Sequence, residues 1–394
     1  MIGLVLVLAA VQDSSALGDH AFREGRFAEA AAHYEKALAS GKSAALYVNL
    51  GHSYSRLDQW EKAIEAYRSA LEMKADLADP HRFLGQALFQ VGRYSDAAES
   101  FRKAESLQPG AGDGLWIARC RVAQGEWIRA EHELVRRLRD RERDVEGREL
   151  LAHVFFSTSR PREAANLYRE LAWEEPSRPR FFLLLAHSEA AAKRHGEAID
   201  ALEIASRVAG PDAEVLRLLA DLYLEERMAR EAASCYARLM AASKEVKAED
   251  YHRLGHAYFQ AREFLSSKEA IGKALKLDPV HLNALMLLGH VELERGDAKA
   301  AQLAYEKAAQ VSAAPLPNRA LAALHLRVGA FEAAAEALDQ AIRRGDTEPI
   351  VFHDYVVALL QSGKQDRAIT TLKEALQAHS SNERLRALVL RLAK

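Results

Sequence analysis

Apolar residues recur along the chain in short runs with helical spacing, and polar or glycine-containing breaks separate the runs. Tyr47, Leu50, Gly51 and Tyr54 lie at positions i, i+3, i+4 and i+7, which places them on one face of a helix. The break RLDQW at 56–60 leads into a second run with the same spacing. Each pair of runs therefore predicts two helices joined by a short turn.

This hairpin pattern returns eleven times, with 33 to 35 residues between equivalent positions. A large residue of the first helix marks the period: Leu17, Leu50, Leu84, Ile117, Leu151, Leu185, Leu219, Leu254, Leu288, Leu321 and Tyr355. A small residue, Gly or Ala, follows it in every copy except at Val356. Because a single hairpin cannot bury its apolar face alone, the copies are predicted to stack into one continuous core.

The second helix of each copy contributes a small residue, almost always alanine, and a large apolar residue four positions later. The large residues are Tyr34, Tyr67, Phe101, Leu134, Tyr168, Leu202, Tyr236, Ile271, Tyr305, Leu338 and Leu372. Small residues allow two helices to cross closely, and the large residue fills the space between them. We therefore expect close helix crossings inside the hairpins.

A helix–turn–helix of about 34 residues, with Leu-Gly in the first helix and Ala, Tyr or Phe, and Ala in the second, resembles the tetratricopeptide repeat. The resemblance covers about residues 13–380, and Pro109, Pro176 and Pro279 lie at or next to the family's terminal proline. It implies an all-α, right-handed solenoid, a superhelix of about eleven helical hairpins. The pattern weakens at 312–318 (SAAPLPN), where we expect a softer junction.

The two ends of the chain fall outside the repeats. Residues 1–12 (MIGLVLVLAAVQ) are apolar and resemble the core of an export signal, although no positive residue precedes them. If they form a signal, the protein is exported, periplasmic or extracellular; otherwise it is cytoplasmic and the segment packs on the first helix. Residues 381–394 predict a C-terminal capping helix with Ser380 or Ser381 as its cap.

Histidines recur directly after the small residue of the first helix, in the sequences LGH and LAH. This position, called here the groove column, is held by Asp19, His52, Gln86, Arg119, His153, His187, Asp221, His256, His290, Ala323 and Val357. It is polar in nine of the eleven copies, and it lies about 100° around the helix from the residue before it. The family resemblance implies that this face lines the inner, concave surface where ligands bind.

The predicted partner-binding groove combines the groove column with neighbouring positions on the same face. Its residues are His52, Arg56, Arg82, Gln86, Phe89, Arg119, His153, His187, Arg217, Asp221, His256 and His290. Arg23, Arg56, Arg82 and Arg119 give the first four copies a basic inner face, which favours an acidic extended segment as ligand. Scattered surface charge is the alternative interpretation.

The spacing of the reactive residues gives little support for a metal site. Histidines of successive copies lie on helices at least ~8–10 Å apart, too far to share a zinc ion bound ~2 Å from each ligand. His252 and His256 share a helix face near Glu249 and form the best local candidate, without an obvious further ligand. Cys120 and Cys235 have no zinc spacing and are interpreted as small, half-buried apolar residues.

The whole chain is assigned to the repeats, the cap or the leader, which leaves no segment for a catalytic domain or a cofactor site. The sequence SGKS at 40–43 lacks the glycine that a phosphate-binding loop requires at position 36. A net charge of −2 gives no general attraction to nucleic acid or to an anionic membrane. No apolar stretch approaches the ~18 residues that span a bilayer.

The sequence therefore predicts a non-enzymatic protein–protein interaction scaffold that binds an extended peptide or a partner helix in the inner groove. Two other hypotheses stay open. One is a pH- or metal-responsive sensor that uses the groove histidines, since imidazole titrates near ~6.5. The other is an assembly protein that associates with copies of itself. The partner's identity and the oligomeric state are not determined at this level.

Overall fold

The computed structural model describes residues 14–210, 212–243 and 245–392. These residues form twenty-three α-helices and no β-strand, which confirms the predicted all-α class. In chain order the helices are α1 (14–23), α2 (Phe27–Ser40), α3 (Ala44–Arg56), α4 (Trp60–Met73), α5 (Ala78–Gln90), α6 (Tyr94–Leu107), α7 (Asp113–Ala123), α8 (Trp127–Asp140), α9 (Val145–Ser157), α10 (Pro161–Glu174), α11 (Pro179–Ala191), α12 (His195–Ala209), α13 (Ala213–Glu225), α14 (Ala229–Ala242), α15 (Ala248–Gln260), α16 (Phe264–Leu277), α17 (Leu282–Glu294), α18 (Ala298–Val311), α19 (Leu316–Arg327), α20 (Phe331–Arg343), α21 (Pro349–Gln361), α22 (Gln365–Ala378) and α23 (Glu383–Leu392). The predicted leader at 1–12 lies outside the described residues.

Odd-numbered and even-numbered helices are the first and second helices of eleven hairpins, from α1–α2 to α21–α22. The predicted register of the repeats is confirmed, because each large residue that marks the period lies in the first helix of its hairpin. Within the hairpins, as in α3–α4 and α15–α16, the two helices pack on each other, and a second helix such as α4 also packs on the next first helix, α5. This alternation builds the helical repeat solenoid.

The turn inside each hairpin contains one residue in the left-handed backbone region. These residues are Gly25, Asp58, Gly92, Gly125, Ser159, Lys193, Arg227, Arg262, Gly296, Gly329 and Gly363, with φ between 57° and 83°. The next amide donates to a carbonyl five residues earlier, as from Arg26 to Ala21 (2.9 Å). This is the Schellman pattern that ends a helix, and it allows the second helix to fold back after only three residues outside the helices.

The small residues of the first helices lie directly against the large residues of the second helices. A Cβ added at Gly51 would lie 2.5 Å from Cε1 of Tyr67, and one added at Gly289 would lie 2.2 Å from Cε1 of Tyr305. Both tyrosines are 1% exposed, so their rings have no open space to move into. The expected close crossings are therefore confirmed in these hairpins.

The chain divides into two compact units, one ending at Ala198 and the other beginning at Ile199. In the second unit, α23 packs on α21 and α22 and buries Leu385. This helix lies where the terminal helix was predicted, but its cap differs. Asn382 Oδ1 accepts from the amide of Leu385 (3.2 Å), so the expectation of a serine cap is wrong.

The junction before α19 is contacted by the side chain of Arg344, which directly follows α20. Arg344 donates from Nη1 to the backbone carbonyls of Ala309 (3.0 Å) and Ser312 (2.7 Å). These bonds fix the beginning of the segment at 312–318. Its greater softness stays a prediction.

Candidate partner-binding groove

Four members of the groove column form a hydrogen bond with the tyrosine fifteen residues later in the same hairpin. The pairs are Asp19–Tyr34 (2.6 Å), His52–Tyr67 (3.0 Å), Asp221–Tyr236 and His290–Tyr305 (2.8 Å). A buried hydroxyl without a partner costs about 1–3 kcal/mol. These column residues therefore serve the fold, in addition to any ligand. Burial raises the pKa of Tyr67 and of Tyr305 to about 12, so both hydroxyls stay neutral.

The other predicted polar members of the column have varied surroundings. Gln86, His187 and His256 are half-buried, whereas His153 is exposed and lies edge-on to Trp127, with 6.3 Å between the ring centroids. Burial lowers the pKa of His256 below its ordinary value of 6.5. The column is thus a mixture of side chains that hydrogen-bond a buried tyrosine and side chains without that role.

Three arginines of the predicted groove are bound to carboxylates of the next hairpin. The pairs are Arg82 with Asp113 (2.7 and 3.0 Å), Arg119 with Glu146 (2.8 Å) and Arg217 with Asp250 (3.1 and 3.4 Å). They join α5 to α7, α7 to α9 and α13 to α15. Two of the four arginines of the predicted basic inner face, Arg82 and Arg119, are therefore neutralised by an acid from the neighbouring first helix.

Aromatic rings contact two further predicted groove residues, Arg56 and Phe89. The Arg56 guanidinium lies over the ring of Phe27, 4.6 Å from its centroid. Phe89 packs edge-on against Tyr94 and Trp116, with centroids 5.1 and 5.6 Å apart. Both residues thus contribute to packing within the first unit.

A recess of about 400 Å³ opens between the first helices of hairpins 1 and 2. Asp19, Phe22, Arg23, Tyr34, Asn49 and His52 line it. Asp19 Oδ1 accepts from Tyr34 and, more weakly, from Asn49 Nδ2 (3.3 Å). Arg23 is exposed, and its Nε donates to the backbone carbonyl of Asp19 (3.2 Å). The recess therefore offers a carboxylate, a guanidinium and an amide beside an aromatic ring.

The recess gathers residues that the sequence-based groove contained only in part. His52 belonged to the predicted set, whereas Phe22 and Asn49 were not assigned to it. A signal for both was present in the sequence, because they lie three positions after and before a member of the groove column, Asp19 and His52 respectively. Residues three apart share a helix face.

The local histidine pair considered for metal binding has a different partner. The ring of His252 faces His281 of the next hairpin, with centroids 5.3 Å apart. His281 Nδ1 accepts from the amide of Ala284, so Nε2 carries the proton and donates to Glu249 (3.2 Å). Within residues 14–210, 212–243 and 245–392, no three His, Cys, Asp or Glu side chains come together as metal ligands.

Among the helices of the described part of the chain, none combines the length and the apolar character that crossing a bilayer requires.

Cys120 and Cys235 are both buried free thiols, and burial raises the pKa of Cys235 to about 11.

Two family models, both described as tetratricopeptide repeat, match the chain at residues 42–109, 149–214, 252–317 and 319–383. Together they cover more than half of the chain. The chain belongs to the tetratricopeptide repeat family. The hairpins of these tetratricopeptide repeats are those identified from the residue columns, so the resemblance found in the sequence is confirmed.

A known protein similar to this tetratricopeptide repeat chain is the Hsp70-Hsp90 organizing protein of Triticum aestivum, 31% identical over 104 residues. The match covers 26% of this chain and 18% of that protein, so the chain spans less than a fifth of that relative's length.

Solved structures that resemble the chain include one described as a tetratricopeptide repeat protein. The APC/C hetero-tetramer Cut9-Hcn1 has a TM-score of 0.40 at 13% identity, covering 98% of this chain and 96% of that chain. Yeast Tom70 has a TM-score of 0.39 at 16% identity, covering 97% and 95%. A tetratricopeptide repeat protein from Parabacteroides merdae has a TM-score of 0.42 at 15% identity, covering 60% and 93%.

Proposed function

We propose that the protein is a non-enzymatic interaction scaffold that holds an extended peptide or a partner helix on the inner face of its repeats. Its membership of the tetratricopeptide repeat family supports a role in bringing proteins together, as does its partial likeness to an Hsp70-Hsp90 organizing protein. The single observation that carries the finer proposal is the recess of about 400 Å³ between hairpins 1 and 2.

The recess has the chemistry to recognise a peptide. Its volume falls within the ~300–1,000 Å³ of typical ligand sites, which are lined by apolar groups with a few placed polar ones. Phe22 supplies an apolar wall. The side-chain oxygen of Asn49, Oδ1, remains as an acceptor for a main-chain amide of the ligand. The exposed Arg23 supplies a donor for a carbonyl oxygen or a carboxylate. One side chain and its flanking peptide groups would fill this space.

The charge of the inner face bears on the partner. Because Arg82, Arg119 and Arg217 already contact carboxylates, they add little net attraction for an acidic segment. Recognition on this face therefore rests on individual hydrogen bonds and apolar contact. The preferred ligand is a polar, weakly charged segment.

A peptide selection tests the proposal. Peptides displayed on phage are selected on the wild-type chain and then measured against a variant with Arg23→Ala and Asn49→Ala. Affinity should fall about tenfold or more, equivalent to the loss of about 1.4 kcal/mol. Lys36→Ala is the matched control, because Lys36 is exposed on the second helix of hairpin 1, outside the recess. Selected peptides that bind the double variant as tightly as the wild type would contradict the proposal.

The choice of variants matters for the interpretation. Replacing Arg82 and Arg119 together would break contacts between hairpins as well as change the inner face. Loss of binding in such a variant would not distinguish a lost ligand contact from a displaced helix. Arg23 and Asn49 reduce this ambiguity, since the Arg23 bond lies within α1 and the one bond of the Asn49 side chain to hairpin 1 is 3.3 Å long.

A further inference from the structure

A second cavity lies on the side of the second helices, apart from the candidate groove. The helices α4 and α6 form its two walls, and Leu84 and Leu88 of α5 form its floor. Its volume is about 790 Å³, and Arg68, Arg102 and Lys103 project from its walls. We call this cavity the outer groove. It lies entirely within the first unit.

The three cations of the outer groove are free of acidic partners. Within the described residues, no carboxylate oxygen lies within 4.0 Å of the charged nitrogens of Arg68, Arg102 or Lys103. Arg68 and Arg102 are each the ninth residue of a 14-residue helix, so they hold equivalent positions in successive hairpins, and both line the cavity. All three side chains are exposed. The outer groove thus contrasts with Arg82, Arg119 and Arg217 of the inner face, which are each paired with a carboxylate.

The acidic residues of the outer groove do not cancel this charge. Asp96 accepts a hydrogen bond from Nε of Arg93 (3.0 Å), which is not one of the three cations. Glu99 remains on the rim of the α6 wall. Three cations therefore face one unpaired carboxylate, and the groove carries a net positive charge.

The equivalent cavity of the second unit shows that this charge is not a general property of the repeat. Between α12 and α14, Glu203 takes the place of Arg68, and it accepts from Tyr223 (2.6 Å) and from Arg207 (3.0 Å). Arg238 takes the place of Lys103, and it donates to Ser206 (2.9 Å). The cations of that cavity are thus occupied within the chain.

We propose that the outer groove binds an acidic segment of a partner protein, with its carboxylates held by Arg68, Arg102 and Lys103. Guanidinium groups bind carboxylates through paired hydrogen bonds, and an ammonium group adds a point charge. A 14-residue helix is ~21 Å long, so the groove accommodates about six residues of extended chain. Asp96 and Glu99 on the rim would repel a continuous row of phosphates, which favours separate carboxylates over a nucleic acid.

Fluorescence anisotropy with a fluorescein-labelled hexaglutamate peptide tests this site on the full chain. The variant carries Arg68→Gln, Arg102→Gln and Lys103→Gln, and its far-UV circular dichroism is compared with that of the wild type. The dissociation constant should rise about tenfold, since each exposed ion pair contributes modestly. Raising the salt from about 50 to about 300 mM should weaken binding to the wild type, because exposed charges are screened.

Two controls separate this site from others. Arg207→Gln with Arg238→Gln removes two cations from the equivalent cavity, and Arg23→Ala with Asn49→Ala alters the inner recess. Both variants should bind the hexaglutamate peptide like the wild type. The inner variant also distinguishes a failure of this proposal from a failure of the proposed function, which concerns a different face.

Hydrogen–deuterium exchange of the wild type gives a readout that does not depend on a variant. The peptide should slow exchange in α4 and α6. Unchanged affinity in the triple variant, or protection confined to other helices, would overturn the proposal. Tighter binding of a 20-nucleotide single-stranded DNA than of hexaglutamate, lost in the same variant, would also overturn it and assign the groove to nucleic acid.

Discussion

The contact between Arg82 and Asp113 provides a direct test of the conclusion that groove arginines join successive hairpins. Asp113 is 1% exposed, and its carboxylate accepts from two nitrogens of Arg82. Arg82→Ala would leave this buried carboxylate without its main partner. Breaking a buried pair in this way costs about 3–5 kcal/mol. Because the Arg82 side chain is 17% exposed, water can reach the site, and we expect a loss of about 3 kcal/mol.

Two features of the site limit the loss to the lower end of that range. Asp113 is the first residue of α7, where the partial positive charge of the helix N-terminus stabilises a carboxylate by about 0.3–1 kcal/mol. Asp79 also contacts Arg82, but its side chain is 67% exposed, so the loss of this second ion pair adds little. Arg82→Ala is therefore still expected to be strongly destabilising.

Hydrogen–deuterium exchange measures the effect where it arises. Exchange in α5 and α7 should accelerate in Arg82→Ala, since stability in a repeat array depends on contacts between neighbouring hairpins. Arg56→Ala is the matched control: its guanidinium lies over a ring and forms no such bidentate pair, so we expect a loss below about 1 kcal/mol. Equal effects of the two substitutions would refute the assignment of Arg82 as a tie between hairpins.

Three further predictions concern packing, the turns and pH. Gly289→Ala should lower the free energy of unfolding by about 1–3 kcal/mol, because its Cβ would lie 2.2 Å from a buried ring, whereas Gly272→Ala, with nothing within 4 Å, should raise it by up to about 1 kcal/mol; urea denaturation of both checks this. Ser159→Gly should raise the thermal midpoint of the first unit, since φ is 60° and a left-handed serine costs about 1–2 kcal/mol, partly offset by the entropy of glycine. Burial lowers the pKa of His52 and His256, so the unfolded chain binds more protons below pH 6.5. The free energy of unfolding should therefore decrease as the pH is lowered from 7.5 to 5.5. A denaturation midpoint that is higher at pH 5.5 than at pH 7.5 would contradict the reasoning.

The order of the hairpins could be predicted from the sequence because one physical requirement recurs in each copy. A small residue must lie against a large one for two helices to cross, as Gly51 does against Tyr67. This pairing leaves a period that is visible without coordinates. The turns carried a weaker signal. Asp58 and Arg227 take the left-handed conformation that glycine takes elsewhere, since the helix packing determines the turn and overrides the preference of the residue.

The contacts between hairpins could not be predicted, because they depend on the displacement from one first helix to the next. Arg82 and Asp113 belong to different columns of the repeat, and the sequence alone does not show which columns of successive hairpins meet. The same holds for Arg217 and Asp250. The basic inner face predicted from arginine positions alone was therefore an incomplete description, since it contained the cations but not the acids that face them.

Two of the five recurring histidines, His52 and His290, now have a physical explanation that also indicates where ligands should bind. Every tyrosine among the large residues of the second helices coincides with His or Asp in the groove column; the pairs in the sequence are Asp19/Tyr34, His52/Tyr67, His153/Tyr168, Asp221/Tyr236 and His290/Tyr305. Four of these pairs are hydrogen-bonded in the described residues. A side chain that holds a buried hydroxyl loses that bond if it turns toward a ligand, which opposes its use in recognition. Binding on the inner face should therefore depend on residues one helical turn away, such as Arg23 and Asn49, whose hydrogen bonds to Asp19 are long.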